Sequence, residues 1–188
     1  KQSVGGYGFR TKFTFSHKLG SIQSRFTLGD ELQYENTLGN TFDITNDIPG
    51  TWPETGALQT SQIVISKSNN LFAQAEFDLP AGFLFTAGAS YNNLSYNVTD
   101  LVPQSATHNN YTGVVNFDAA FSPRIALVKK ISDNVSAHAS ISGGYSPPTT
   151  SEANNADGSF NKTLKLEKGT NYEVGVRGTV WNGFSFDV

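Results

Sequence analysis

The feature that most constrains this chain is a period-two alternation of apolar and polar side chains, sustained over one long segment after another. Tyr7, Phe9, Phe13 and Phe15 share one parity, and Gly8, Arg10, Lys12 and Thr14 take the other. Ile22, Phe26, Leu28, Leu32 and Tyr34 alternate in the same way with Gln23, Arg25, Thr27, Glu31 and Gln33. A third segment sets Ile63, Ile65, Leu71, Ala73, Ala75, Phe77 and Leu79 against Gln62, Ser66, Gln74, Glu76 and Asp78. A fourth sets Phe83, Phe85, Ala87, Ala89 and Tyr91 against Thr86, Gly88 and Ser90. Past Tyr91 the apolar parity slips to Leu94, Tyr96 and Val98, for which a β-bulge is the expectation.

The alternation continues through Val115, Phe117, Ala119, Phe121, Ile125 and Leu127, then Val135, Ala137, Ala139, Ile141 and Tyr145, then Tyr172, Val174, Val176 and Val180. Phe184, Phe186 and Val188 begin one more strand. The chain therefore reads as all-β, an antiparallel up-and-down meander of about eight long strands, each with one apolar face. Several apolar parities run as long as the about 9–11 residues of a tilted membrane-crossing strand, where soluble strands are usually about five or six.

Connections alternate in length as well. Short turns are expected at His17–Gly20, Pro80–Gly82, Ser132–Asn134 and Asn182–Gly183, the last a favoured two-residue hairpin dipeptide. Long polar stretches rich in Asn, Thr, Gly and Ser lie between them at 35–60, 99–112 and 148–163. Tight turns at one end and extended loops at the other are the signature of a transmembrane barrel. Tyr34, Tyr91, Tyr96 and Tyr145 fall where an aromatic girdle is expected. The competing architecture is a soluble β-sandwich, whose strands alternate too.

Composition enters here only to exclude. A mean hydropathy of -0.32 does not oppose a barrel, because lipid-facing and lumen-facing residues alternate and dilute the signal. The absence of cysteine excludes disulfides and thiolate metal sites. A net charge of -3 provides no basic field for nucleic acid. His17, His108 and His138 lack metal-ligand spacing, so no metal is expected. The stretch Ala153–Leu164 contains Asp157-Gly158 but has the wrong residues at its first and last positions for a calcium loop. No nucleophile motif or phosphate loop is present, so no catalytic residue and no cofactor is expected. Asp43, Asp47, Glu54, Asp100, Glu152 and Asp157 are loop acids that could touch a ligand, with solvated surface as the plainer reading. Gly6-Tyr7-Gly8 leads into a strand rather than a helix and is not a dinucleotide loop.

The C-terminal third carries a series of motifs. Ser122-Pro123-Arg124 lies in one strand, Gly144-Tyr145-Ser146-Pro147-Pro148 ends the next, and Leu164, Glu167, Tyr172, Glu173 and Gly175 follow. This order resembles the barrel of TonB-dependent outer-membrane receptors, with an S-P-R strand, a G-[FY]-x-x-P corner, L-x-P-E and Y-E-x-G. Leu166 departs from it by standing where the family usually has Pro. The resemblance implies that residues 1–188 form an incomplete stretch of one transmembrane β-barrel of about 22 strands, in the outer membrane of a Gram-negative bacterium. It further implies a plug domain, contact with TonB through that plug, and uptake of a siderophore, glycan or vitamin-like nutrient. Neither plug nor TonB box is found here, and the opening residues KQSVGGYGFR do not form a signal peptide. Outer-membrane lipid, the plug, TonB and the nutrient are the expected partners, and loops 35–60, 99–112 and 148–163 the expected ligand contacts. The alternatives are a passive outer-membrane channel or adhesive barrel and a soluble β-sandwich binding domain.

Three points of local chemistry accompany this reading. Glu173 and Arg177 fall on the lumen parity, where charge stays hydrated or meets a neighbouring strand. Gly143 and Gly175 leave room for close approach. Pro123 removes a ladder donor, so a bulge or strand end is expected near it.

Overall fold

A computed structural model of the chain describes residues 2–45, 52, 54–106, 108–110, 112–149, 152, 161 and 163–188. Its strands are β1 (Gln2–Leu19), β2 (Ile22–Thr45), β3 (Glu54–Leu79), β4 (Phe83–Asp100), β5 (Gly113–Asn116), β6 (Ala120–Lys130), β7 (Val135–Ser146), β8 (Glu167–Val180) and β9 (Phe184–Asp187). All belong to one antiparallel sheet in the order β1-β2-β3-β4-β6-β7-β8-β9, with β5 also paired to β4. The meander expected from the alternation is therefore present.

Register explains why the alternation matters. Phe9 pairs with Leu32 and Phe13 with Leu28; Leu28 pairs with Ala73 and Ala73 with Ala89. Phe85 pairs with Leu127, Leu127 with Ala139, Ala139 with Val174 and Val180 with Phe184. A one-residue slip at any ladder would send an apolar set to the opposite face. Here every ladder keeps them together.

That shared face is exposed: Phe13 is 69% and Val174 84% accessible. Among the described residues the buried apolar side chains are Val98, Val115, Phe117 and Ala120. A sandwich would bury its alternating face under a second sheet. This sheet turns its apolar face outward, which is stable only against hydrocarbon. The outward run Leu71–Leu79 rises about 20 Å at a 45° tilt, close to the ~25 Å apolar band of outer-membrane barrels. Aromatic rings mark both of its edges. On the turn side Phe15 stacks on Phe26 at 5.1 Å and Phe26 meets Phe77 edge-on at 5.8 Å. On the loop side Tyr7 stacks on Tyr34 at 4.8 Å.

Several sequence expectations change. The stretch 35–60 is mostly strand: β2 and β3 have 24 and 26 residues and stay paired to Thr45↔Glu54, with register shifts around Phe42. Beyond lipid, a paired strand needs no apolar parity, so its polar composition imitates a loop. β4 does not bulge past Tyr91, because its pairing with β3 is continuous from Leu79↔Phe83 to Gln62↔Asp100. The parity slips because β4 leaves the apolar band, after which Leu94, Tyr96 and Val98 face inward. Tyr96 is thus no girdle residue.

The bulge lies across the ladder instead. Asn92 pairs with Ala120 and Tyr96 with Val115, so the second strand carries one residue more between these pairs. The extra residue divides Val115–Leu127 into β5 and β6 and turns Val115 and Phe117 inward, although both share the parity of outward Phe121.

Pro123 sits inside β6 opposite Ala89, and the ladder to β7 stops at Arg124↔Ser142. The missing N–H is thus placed where no partner strand asks for it. The first turn is Gly20-Ser21, closed by Leu19↔Ile22. The last is the three-residue Trp181–Gly183, with Trp181 at φ 45, rather than a two-residue Asn-Gly turn.

Candidate ligand-facing surface

The inner parities carry the charge. Arg10 lies 3.3 Å from Glu31 and Arg25 2.6 Å from Glu76. Gln33 and Gln74 donate to the same two carboxylates at 2.9 and 2.8 Å. Each carboxylate thus receives a cation from a neighbouring strand and an amide from its own, which holds a charged wall in one arrangement. Phe72 lies in this wall with its ring over Gly29, where any Cβ would meet it at 2.1 Å. Arg10 stands 5.9 Å from the centre of that ring.

Farther along, His138 Nε2 is 3.4 Å from Glu173 Oε1, and Ser140 Oγ donates to Glu173 at 3.4 Å. The imidazole lies over Gly175, where a Cβ would come within 2.6 Å of it. Its Nδ1 is buried without a hydrogen-bond partner. Glu173 therefore does find a neighbour on the next strand, and Gly175 is small because a ring occupies the space.

Above the apolar band the inner face closes over a small core of Val98, Val115, Phe117 and Ala120. Tyr96 meets Phe117 edge-on at 5.4 Å and donates its hydroxyl to the Pro148 carbonyl at 3.3 Å. This ties the start of the third loop to β4. The second loop is organised by Asp100, whose side chain is 1% exposed. Its carboxylate accepts the Val102 N–H at 3.0 Å and meets His108 Nε2 at 2.8 Å. Its own N–H donates to Thr112 Oγ1 at 3.0 Å. In the third loop Thr149 donates its N–H and hydroxyl to Glu152 Oε2 at 2.7 and 2.8 Å, and Glu152 N–H returns a bond to Thr149 Oγ1 at 3.3 Å. These bonds hold the Glu152 carboxyl below its ordinary pKa.

Of the other loop acids, Asp43 accepts a bond from Gln59 and Glu54 opens β3. Asp47 and Asp157, with most of Ala153–Leu164, lie outside the described residues. Among the described residues no cluster of metal-ligating side chains forms.

The motif residues occupy one region across β6, β7 and β8. Ser122 pairs with Ser90, and Arg124 with Gly88. Gly144 pairs with Gly169, Tyr145 with Lys168, Ser146 with Glu167, and Tyr172 with Ile141. Pro123 packs against Gly143, where a Cβ would lie 2.9 Å from its Cδ. Pro148 is buried, and Leu164 donates its N–H to Asn161 O at 3.4 Å. Tyr145 and Tyr172 face outward, whereas Arg124 and Glu173 face inward, so the motif spans both sides of the wall.

Sequence reasoning did not single out the inward cluster of Val98, Val115 and Phe117, because the bulge that creates it leaves no mark in composition. Nor did it single out Lys67 and Lys168, each an outward lysine directly opposite a girdle tyrosine. Lysine standing on an apolar parity was the available signal.

The sequence matches the family described as TonB dependent receptor-like, beta-barrel, over residues 2–188. No curated protein matches it. The fold is similar to the siderophore receptor PiuA from Acinetobacter baumannii, with TM-score 0.73, 16% identity, and coverage of 97% of this chain and 30% of that one. It is also similar to the ferric citrate transporter FecA, with TM-score 0.74, 11% identity and coverage of 94% and 25%. A third likeness is to the ferripyoverdine receptor of the outer membrane of Pseudomonas aeruginosa, with TM-score 0.70, 16% identity and coverage of 97% and 24%. The chain thus spans at most 30% of the length of these structures.

Proposed function

The chain belongs to the TonB-dependent receptor-like β-barrel family of the Gram-negative outer membrane, and from that premise we propose that it is part of the wall and loop crown of a receptor importing a scarce nutrient. The family is one of transporters rather than enzymes. The observation that carries the proposal is the sheet itself, with lipid-compatible residues on its outer face and a charged, hydrogen-bonded wall on its inner face. A ligand would meet the loop crown first and then the inner wall. In the full receptor a plug fills the lumen, and TonB supplies the force that rearranges it.

Among nutrient classes, an iron chelate is favoured over a glycan or vitamin, because PiuA, FecA and the ferripyoverdine receptor are named for iron chelates. Arg10 and Arg25 on the inner wall are neutralised by Glu31 and Glu76, so the preference for iron rests on the structural likeness.

The test is uptake by cells carrying the full-length receptor gene or its deletion, supplied with labelled ferric siderophores, oligosaccharides or cobalamin. Loss of one ferric chelate on deletion, and an equal loss on removing TonB, is the expected result. Uptake that persists without TonB would identify a passive channel. Loss of glycan or cobalamin uptake alone would replace the iron assignment.

A further inference from the structure

On the outward parities that cross the apolar band, the only acid among the described residues is Asp30. Its neighbours on the same face of β2 are Leu28 and Leu32, and Tyr34 of the girdle lies four residues farther toward the loops. Its Oδ1 is buried without a hydrogen-bond partner, although Thr11 stands directly opposite in the ladder. Acyl chains supply no donor, so an acid at this depth needs a partner that does.

The ladder row that holds Asp30 runs Thr11, Asp30, Leu71, Tyr91 and Phe121 across β1, β2, β3, β4 and β6. Along it the wall dips into a depression of about 460 Å³, lined by Leu28, Leu71, Ala73, Ala89 and Phe121 among others. Ala73 and Ala89 are paired in register, and two small side chains side by side make the floor. The Asp30 carboxyl, an acceptor, thus borders one side of the depression. The Tyr91 hydroxyl, a donor on a side chain 47% exposed, borders the other.

That arrangement is complementary to itself. We propose that this face of the wall is the interface of a two-fold dimer of the receptor within the membrane, with the axis along the membrane normal past Leu71. Such an axis sets Asp30 of one copy opposite Tyr91 of the other, and does so twice. Facing sheets lie about 10 Å apart, and the ladder row climbs about 7 Å over two strands at a 45° tilt. A threonine hydroxyl is too short to bridge that gap, whereas the phenol of Tyr91 reaches across it to the carboxyl. Phe13 and Phe121 flank the depression, 69% and 64% exposed, and pack around the two bonds. A lipid chain would fill the same depression but leave Oδ1 without its donor. The proposal depends on the barrel's place in the membrane and not on which nutrient is imported.

The test uses full-length receptor, labelled separately with donor and acceptor dyes and reconstituted into phosphatidylcholine vesicles over a range of protein-to-lipid ratios. Energy transfer should rise with density and yield a dimer dissociation constant. Asp30→Leu and Tyr91→Phe should each raise that constant about tenfold. The double variant should raise it little further, because both changes remove the same pair of bonds. Asp30→Asn keeps an acceptor oxygen and should stay within about twofold of the wild type. Val176→Leu, on the outward face of distant β8, should change nothing. In whole cells, photoreactive benzoylphenylalanine in place of Leu71 should cross-link receptor to receptor, and in place of Val176 should not.

A receptor that stays monomeric at every density overturns the proposal, as does a dimer unmoved by D30L and Y91F. Fully additive losses in the double variant overturn the pairing of the two side chains. Cross-linking from position 71 to a different protein alone overturns the second copy as the occupant. Should Asp30→Leu fail to assemble, Tyr91→Phe, which removes one hydroxyl, decides the matter. Recovery of the wild type outside the outer membrane would remove the receptor reading as well, whereas a monomer that still imports its nutrient removes this proposal alone.

Discussion

Glu152 and Thr149 hold one another through three hydrogen bonds at the start of the third loop, a reciprocal arrangement of the Thr-x-x-Glu kind. The folded loop lowers the Glu152 pKa below its ordinary 4.5, so the ionised carboxylate is the form that binds. Its contribution is complete above the ordinary value and is lost as pH falls through the lowered one. Protection of the Thr149 amide, measured by hydrogen exchange and corrected for intrinsic rate, should therefore hold from neutral pH down to the ordinary 4.5 and be lost only below it. Glu152→Gln should show weak protection throughout. Loss of protection in the wild type already near neutral pH would refute this account. Adjacent residues on β8 make a sharper contrast. Val174 faces outward in the band, so Val174→Arg should cost about 2–4 kcal/mol in denaturant titrations of the full receptor refolded into vesicles. Glu173→Gln, one position away but facing inward, should cost less than about 1 kcal/mol. Similar costs at the two positions would mean that the assignment of faces is wrong.

Strands were legible wherever lipid imposed alternation, and illegible where it did not. Phe13, Phe26, Ala75 and Phe85 announce their faces because each intervening residue meets a different medium. Residues Asn36 to Thr45 stay paired to β3 as well, with register shifts around Phe42, but water on both sides removes any need for an apolar parity. The reverse error occurs on β4, where Leu94, Tyr96 and Val98 look like a slipped lipid face and instead pack inward. This chain has no cysteine, so single substitutions test this in a receptor whose remaining sequence has had any cysteines replaced by serine. Asn97 is exposed and Val98 is 1% accessible. On intact cells an impermeant maleimide should label Asn97→Cys at least about tenfold faster than Val98→Cys, because the second thiol reacts only through local opening. The opposite order would restore a bulge in β4. The motif strands were legible by spacing, but the spacing could not reveal that Tyr145 meets Lys168 while Glu173 meets His138, since ladder partners depend on loop length and bulges.

At the scale of the whole molecule, the sheet is consistent within itself and open at its margins. Among the described residues β1 pairs only with β2, and β9 only with β8, so each leaves one row of N–H and C=O groups without a strand partner there. In hydrocarbon each such group costs several kcal/mol, and no side chain on an exposed edge can supply the missing ladder. β1 alone has 18 residues, so the strain is distributed along a whole transmembrane edge rather than at one point. The inner wall compounds it, because Arg10, Arg25 and their carboxylates require a hydrated or protein-filled lumen that a flattened sheet in lipid does not provide. Added to vesicles by itself, the 188-residue chain should therefore fail to produce the compact, heat-resistant species that the full receptor produces on cold gels. Its amide bands should show β-structure distributed over a broad range of assemblies, as edges pair between copies. Supplying the remaining strands as a second polypeptide should recover the compact species, since the edges then find their partners. A heat-resistant monomer formed by this chain alone would mean that its edges are satisfied within the sheet, and the larger barrel would lose its main physical support.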